Sequence, residues 1–126
     1  MSDIRANTIS DTSGNGPINL TGQSAAKVWV NFDGGAATST SDMIGVRGSL
    51  NVSSLVNIAT GVDETNYTND FANFNYSATV GSNAGGSAHF SSSFYTASIL
   101  RTTTKGSNGS NQDSSFVTFM AVGDLA

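Results

Sequence analysis

The sequence predicts an all-β fold, an antiparallel β-sandwich (jelly-roll-like) or a barrel, and three observations lead there. The first is the stretch Ala25–Gly35, where the single Trp sits in a run of β-formers stopped by an Asp-Gly-Gly turn signal. In a strand, Val28, Val30 and Phe32 share one face, and Lys27, Trp29, Asn31 and Asp33 share the other. The second is Ile44–Leu55, in which Ile44, Val46, Leu50 and Val52 alternate with Arg47, Ser49, Asn51 and Ser53. The third is spacing: short alternating runs separated by Gly- and Asn-rich turns, with little that suits a helix.

Taken in order, residues 1–24 are polar, with short apolar points at Ile4, Ile9, Ile18 and Leu20 around the turn signal Asp11–Pro17, which holds the only proline. They read as a partly ordered terminus or as an arm that docks on another protein, leaving residues 25–126 as the β-domain. Trp29 belongs either in the domain core, the commoner place for a lone Trp, or in a subunit interface. Gly34–Asp42 reads as a small, polar, flexible loop. Leu55–Ala59 continues the preceding strand or bends, and Gly61–Thr65 reads as a turn. Phe71–Val80 alternates as a half-exposed strand, with Ala72, Phe74, Tyr76, Ala78 and Val80 on one face. Gly81–Ser87 is a loop, Phe94–Thr104 a strand and Lys105–Asp113 a polar hairpin loop. Phe116–Val122 is apolar on both faces, as in a strand buried on both sides, so its second face needs cover from another sheet or another subunit. No internal repeat is present.

Composition narrows the function classes. A chain of 126 residues makes one domain. Only 11% of residues are charged while 37% are hydrophobic, so Ser, Thr, Asn and Gly fill the polar surface of a folded β-protein, not a disordered acidic chain. A net charge of −4, with five scattered Lys and Arg, cannot neutralise a row of phosphates, so nucleic acid is not an expected partner. Without cysteine there is neither a disulfide nor a thiolate metal site. The N-terminus lacks an apolar signal region, and no run of about 18 apolar residues is present to span a membrane.

Nothing in the sequence assembles a catalytic centre. His89 is the sole histidine and has no second His or Cys to complete a metal site. Asp63 and Glu64 would point to opposite faces of a strand, a poor acid/base pair, and read as solvated loop acids. Carboxylates suit calcium, but no EF-hand-like spacing supports a site, and no cofactor or metal is expected. No Gly-x-Ser-x-Gly elbow occurs, and Gly81–Gly86 lacks the ending of a phosphate loop. A binding or scaffolding role remains. Tyr supplies rigid contact area and Ser, Gly and Asn supply hydrogen bonds. On those grounds Tyr67, Tyr76, Tyr95, His89, Asn108 and Asn111 are candidates for a ligand-binding loop surface, and sugars suit that mixture. The competing reading is that these are ordinary strand aromatics and turn formers.

The string Ala26-Lys-Val-Trp-Val-Asn-Phe-Asp-Gly34, followed by Val46-Arg-Gly-Ser-Leu-Asn-Val-Ser-Ser-Leu55, resembles the adhesin-type module of tail-fibre and other virion-fibre proteins of bacteriophages, many of them marine. Ile4–Lys27 is similar to that family's lead-in, and Ser98–Arg101 with Asp113–Gly123 to its closing hairpin. Residues 56–95 match least. The resemblance implies an all-β homotrimeric virion-surface protein, tied to other virion proteins through residues 1–24 and reaching a host glycan or protein through loops around 34–42, 81–93 and 105–113. Family members carry the module after a long shaft, whereas here it nearly fills the chain. A short head- or tail-attached fibre is therefore expected, with a capsid decoration (cement) protein or a carbohydrate-binding module as alternatives. Trp29, Phe116 and Phe119 are the expected subunit-interface residues.

Overall fold

The computed structural model describes residues 26–126, with the side chains of 90–94 excepted, and among these it contains no helix. The arm expected over residues 1–24 lies outside the described residues. Eight strands form: β1 Ala26–Phe32, β2 Val46–Leu50, β3 Val52–Ala59, β4 Val62–Tyr67, β5 Ser77–Ser82, β6 Ala88–Tyr95, β7 Ile99–Thr104 and β8 Val117–Val122. They make two four-stranded antiparallel sheets, one ordered β2-β1-β8-β5 and the other β3-β4-β7-β6, stacked as a β-sandwich.

The core lies between the sheets and follows from alternation. Val28, Val30 and Phe32 of β1, with Val117, Phe119 and Ala121 of β8, point inward and are fully or nearly fully buried. Leu55 and Leu100 meet them from the second sheet. Thr65, Thr102 and Thr104 share this interior, so the second sheet contributes hydroxyls as well as hydrocarbon. Two of these satisfy themselves on backbone: Thr102 Oγ1 donates to Asp63 O at 3.3 Å and Thr104 Oγ1 to Gln112 O at 2.6 Å.

The unbroken alternation expected across Ile44–Leu55 is two strands in two sheets. Arg47 is an extra residue in β2, because Asn31 pairs with Gly48 while Phe32 pairs with Val46. The bulge turns Val46 inward and Leu50 outward, although both have even numbers. At Asn51 the backbone enters the left-handed region (φ 59°) and the chain leaves the first sheet for the second. Asn tolerates that conformation better than most residues, and its side chain is pinned. Its Nδ2 donates to Asn69 O at 2.9 Å, and its Oδ1 accepts from Asn69 N at 2.7 Å.

The turn expected over Gly61–Thr65 is shorter. Ala59 pairs with Val62, so Thr60 and Gly61 alone make the bend and the acids belong to β4. Gly61 has φ +67°, and a Cβ there would meet Gln112 N and Thr104 O at 2.6 Å, so only glycine fits. The strand expected from Phe71 begins only at Ser77, and Phe74 is 66% exposed. Phe94–Thr104 is not one strand but the end of β6, a turn at Thr96–Ser98 and β7. Residues 105–116 carry the chain from the second sheet back to the first, with a small local loop closed by the Lys105–Asn111 bridge.

The other end of the interior is aromatic. Tyr76 stacks between Phe71 and Tyr95, with ring centroids 4.1 and 4.4 Å away, and Tyr67 meets both Phe71 and Tyr76 edge-on. Tyr76 O–H donates to Thr96 O at 2.9 Å, Tyr67 and Tyr76 hydroxyls are 3.1 Å apart, and Tyr95 O–H donates to Tyr76 O at 2.6 Å. This cluster fastens the irregular stretch between β4 and β5 to β4 and β6 of the second sheet.

Candidate functional site

The feature that the core does not account for is the outer face of the β2-β1-β8-β5 sheet. Directly paired residues of antiparallel strands share a face. Trp29 pairs with Leu50 on one side and Met120 on the other, and Met120 pairs in turn with Thr79. The result is a row, Leu50–Trp29–Met120–Thr79, running across all four strands. Its three apolar members are 46%, 40% and 45% exposed, and Phe116, two steps before Thr118 on the same side of the chain, is 43% exposed. The adjacent row is Gly48–Asn31–Thr118–Gly81.

Glycines shape this face. A Cβ on Gly48 would lie 3.3 Å from Trp29 Cη2, so the indole leans across β2 at the one position where no side chain stands in its way. On the other side of the indole a groove of about 390 Å³ runs over β8 towards β5, lined by Trp29, Met120, Thr118, Thr79 and Gly81. No charged side chain lines it. Asn31 lies in the neighbouring row, and its buried Oδ1 has no hydrogen-bond partner. An arrangement of apolar surface flanked by threonines can bind a partner or ligand.

The expected interface residues divide. Trp29 and Phe116 are on the outer face, so the core placement favoured for a lone Trp is overturned. Phe119 is 1% exposed and belongs to the chain's own core, which corrects its assignment to an interface. β8 is apolar on both faces but buried on only one: β1 and β5 flank it, the second sheet covers Val117, Phe119 and Ala121, and Met120 remains outside.

The expected binding residues do not converge. Tyr67 is buried and Tyr76 too, so neither offers a ring face to a ligand. Burial raises the Tyr67 hydroxyl well above the usual phenol range, and pushes Tyr76 up to about 12. Tyr95 is half-buried against Tyr76. His89 is exposed, but on β6 opposite Thr103, not in a loop, so the loop expected over 81–93 shrinks to 83–87. Asn108 and Asn111 are exposed on the loop before β8, where Asn108 Oδ1 accepts from Ser110 N at 3.0 Å. The 34–42 loop is held rather than free: Thr38 and Thr40 hydroxyls donate to Asp42 Oδ2 at 2.8 and 2.6 Å, and Ile44 N to Oδ1. Those contacts hold the Asp42 carboxyl below its ordinary range.

Asp63 and Glu64 point to opposite sides of β4. Glu64 accepts from Arg101 at 2.6 Å on the outer side, while Asp63 is only 1% exposed inside, so the reading of both as solvated loop acids is corrected. The alternation of Asp63, Thr65 and Tyr67 was the signal for this, masked by the turn-forming look of Gly61–Thr65. Among the described residues no group of three or more His, Cys, Asp or Glu is placed to hold a metal. Compared with protein-family models, curated proteins and solved structures, the chain matches none.

Proposed function

We propose that this protein is a structural component of a bacteriophage virion, a short head or tail fibre that attaches to the host surface and assembles as a homotrimer, not an enzyme. The sequence likeness supports the virion assignment. The observation that carries the assembly is the row Leu50–Trp29–Met120, with Phe116 beyond it, an apolar line left uncovered across one sheet face; Met43, Ile44, Ile58 and Phe74 are also exposed but lie outside this row. A contiguous apolar patch on a small soluble chain marks a place where something docks. A second and third copy are suitable occupants because the groove lining carries no charge that would oppose a like surface.

Light scattering coupled to size-exclusion chromatography tests this directly. A particle of three 12.9-kDa chains is expected. Replacing Trp29 by Ser together with Met120 by Gln is expected to dissociate it while the β-sheet circular dichroism survives. A wild-type monomer at high micromolar concentration overturns the trimeric reading.

One observation favours a second reading for the same face. The exposed indole with Thr79 and Thr118 beside it matches the apolar C–H face and hydroxyl rim of a sugar ring. A monomer that binds glycans on an array, and loses them on Trp29→Ala, would favour this carbohydrate-binding role.

A further inference from the structure

The function proposed above makes no use of the most unusual buried group in the molecule. Asp63 is 1% exposed, and its Oδ1 has no hydrogen-bond partner. A buried polar atom left unpaired costs free energy and calls for an explanation. Three connections meet above it, from both sheets. The turn after β1 lies closest: a Cβ on Gly34 would be 2.9 Å from Asp63 Oδ2. Gly34 N donates to Ser114 O at 2.9 Å, joining that turn to the connection before β8, and Asn57 Nδ2 donates to Gly34 O at 3.2 Å. Asp113, next to Ser114, accepts from Gly61 N at 2.5 Å and so ties in the β3–β4 turn.

We propose that Asp63 is a proton-operated latch at this end of the sandwich. Neutral, it lets the Asp33–Gly35 turn and the Asp113–Phe116 connection close over it; ionised, it drives them off.

The charges around it set the direction. Asp113 faces it from the connection before β8, and its carboxylate disfavours a second negative charge nearby. From the β1 turn comes Asp33, whose Oδ2 is engaged by Arg47 at 2.9 Å and whose Oδ1 accepts from Gly35 N. The flanking strands place Asn57 and Thr102 opposite Asp63, neither of them charged. Among the described residues no cation faces Asp63. Burial first and Asp113 second push its carboxyl up to about 7, so the latch works near neutrality. Ionisation leaves a carboxylate with an orphaned oxygen beneath a backbone that has no room to approach. The relief is to admit water, which requires the Gly34–Ser114 and Gly61–Asp113 hydrogen bonds to yield.

The test is amide exchange and thermal melting of the full chain between pH 5 and pH 8, with Asp63→Asn and Asp113→Asn beside wild type. After correction for intrinsic exchange, Gly34 and Gly61 amides are expected to open at least about tenfold more at pH 8, and at both pH values with a smaller opening free energy than Val30 and Phe119, whose exchange follows global stability. The melting midpoint is expected to fall by roughly 10 °C over the same range. Asp63→Asn should abolish both changes. Asp113→Asn, which keeps an acceptor for Gly61 N, should reduce them. Should Asp63→Asn fail to fold, an NMR titration of the wild-type Asp63 carboxyl decides: no transition between pH 6 and 8 overturns the proposal. So does a pH effect that persists in Asp63→Asn. Calcium that restores wild type but not Asp63→Asn at pH 8 also overturns it, by making the site one for a cation.

Discussion

Asn51 shows how one side chain directs the chain between sheets. Its φ of 59° costs about 1 kcal/mol for a residue with a Cβ, and the Asn69 contacts offset that cost. Asn51→Ala keeps the strain and loses the contacts, so a destabilisation of about 2 kcal/mol is expected from urea unfolding. Asn51→Gly relieves the strain and loses only the contacts, for about 1 kcal/mol. Tyr67 is the second case. Because Tyr76 O–H is committed to Thr96 O, the Tyr67 O–H is the donor of their shared bond. Tyr67→Phe should cost about 1 kcal/mol by the same assay and leave the fold and assembly unaltered, as suits a structural residue.

At the scale of elements, the β3–β4 turn and the connection before β8 depend on each other. Gly61→Ala adds a methyl where Gln112 N and Thr104 O stand, in a left-handed backbone. More than about 2 kcal/mol should be lost, and the amides of β4 and of residues 112–114 should exchange faster together. Elements also divide by how far they can be read in advance. The inward face of β1 was legible because its alternation is uninterrupted and Val28, Val30 and Phe32 are all core, whereas Trp29, favoured for the core, stands on the outer face. β2 and β3 were not separable, since the Arg47 bulge and the Asn51 turn both preserve an apparent period of two while reversing the faces. β4 was hidden by Asp63 and Glu64, which look like turn residues until each finds its own environment. Of the outer face, Trp29 and Phe116 were visible as candidates, whereas the row with Leu50 and Met120 depends on cross-strand register, which a linear pattern does not contain.

For the whole molecule, the Asp63 carboxyl gives stability a defined pH dependence. Its folded value near 7 stands above the model-compound value of 3.8, so the folded state holds a proton that the unfolded state releases. Stability from this group is therefore complete below about pH 4 and is lost as pH rises towards 7, the reverse of an ion-paired carboxylate. Three units at about 1.4 kcal/mol each set an upper bound of about 4 kcal/mol, which the opening of the latch would reduce. Urea midpoints measured at pH 5 and pH 8 should differ in that direction, and equal midpoints would exclude it.

The adjacency of β1 and β8 carries a consequence for how the chain comes into being. The strand that holds Trp29 pairs on one side with β2, close by in sequence, but on the other with a strand roughly ninety residues downstream. On a ribosome working at about 5–20 residues per second, the inner edge of β1 waits on the order of 5–20 seconds for its partner. Throughout that interval the hydrogen-bonding groups of β1 that pair with β8 have no strand beside them. A nascent chain so arranged is exposed to strand-by-strand adhesion with its neighbours on the same message, and the speed of translation becomes a determinant of yield.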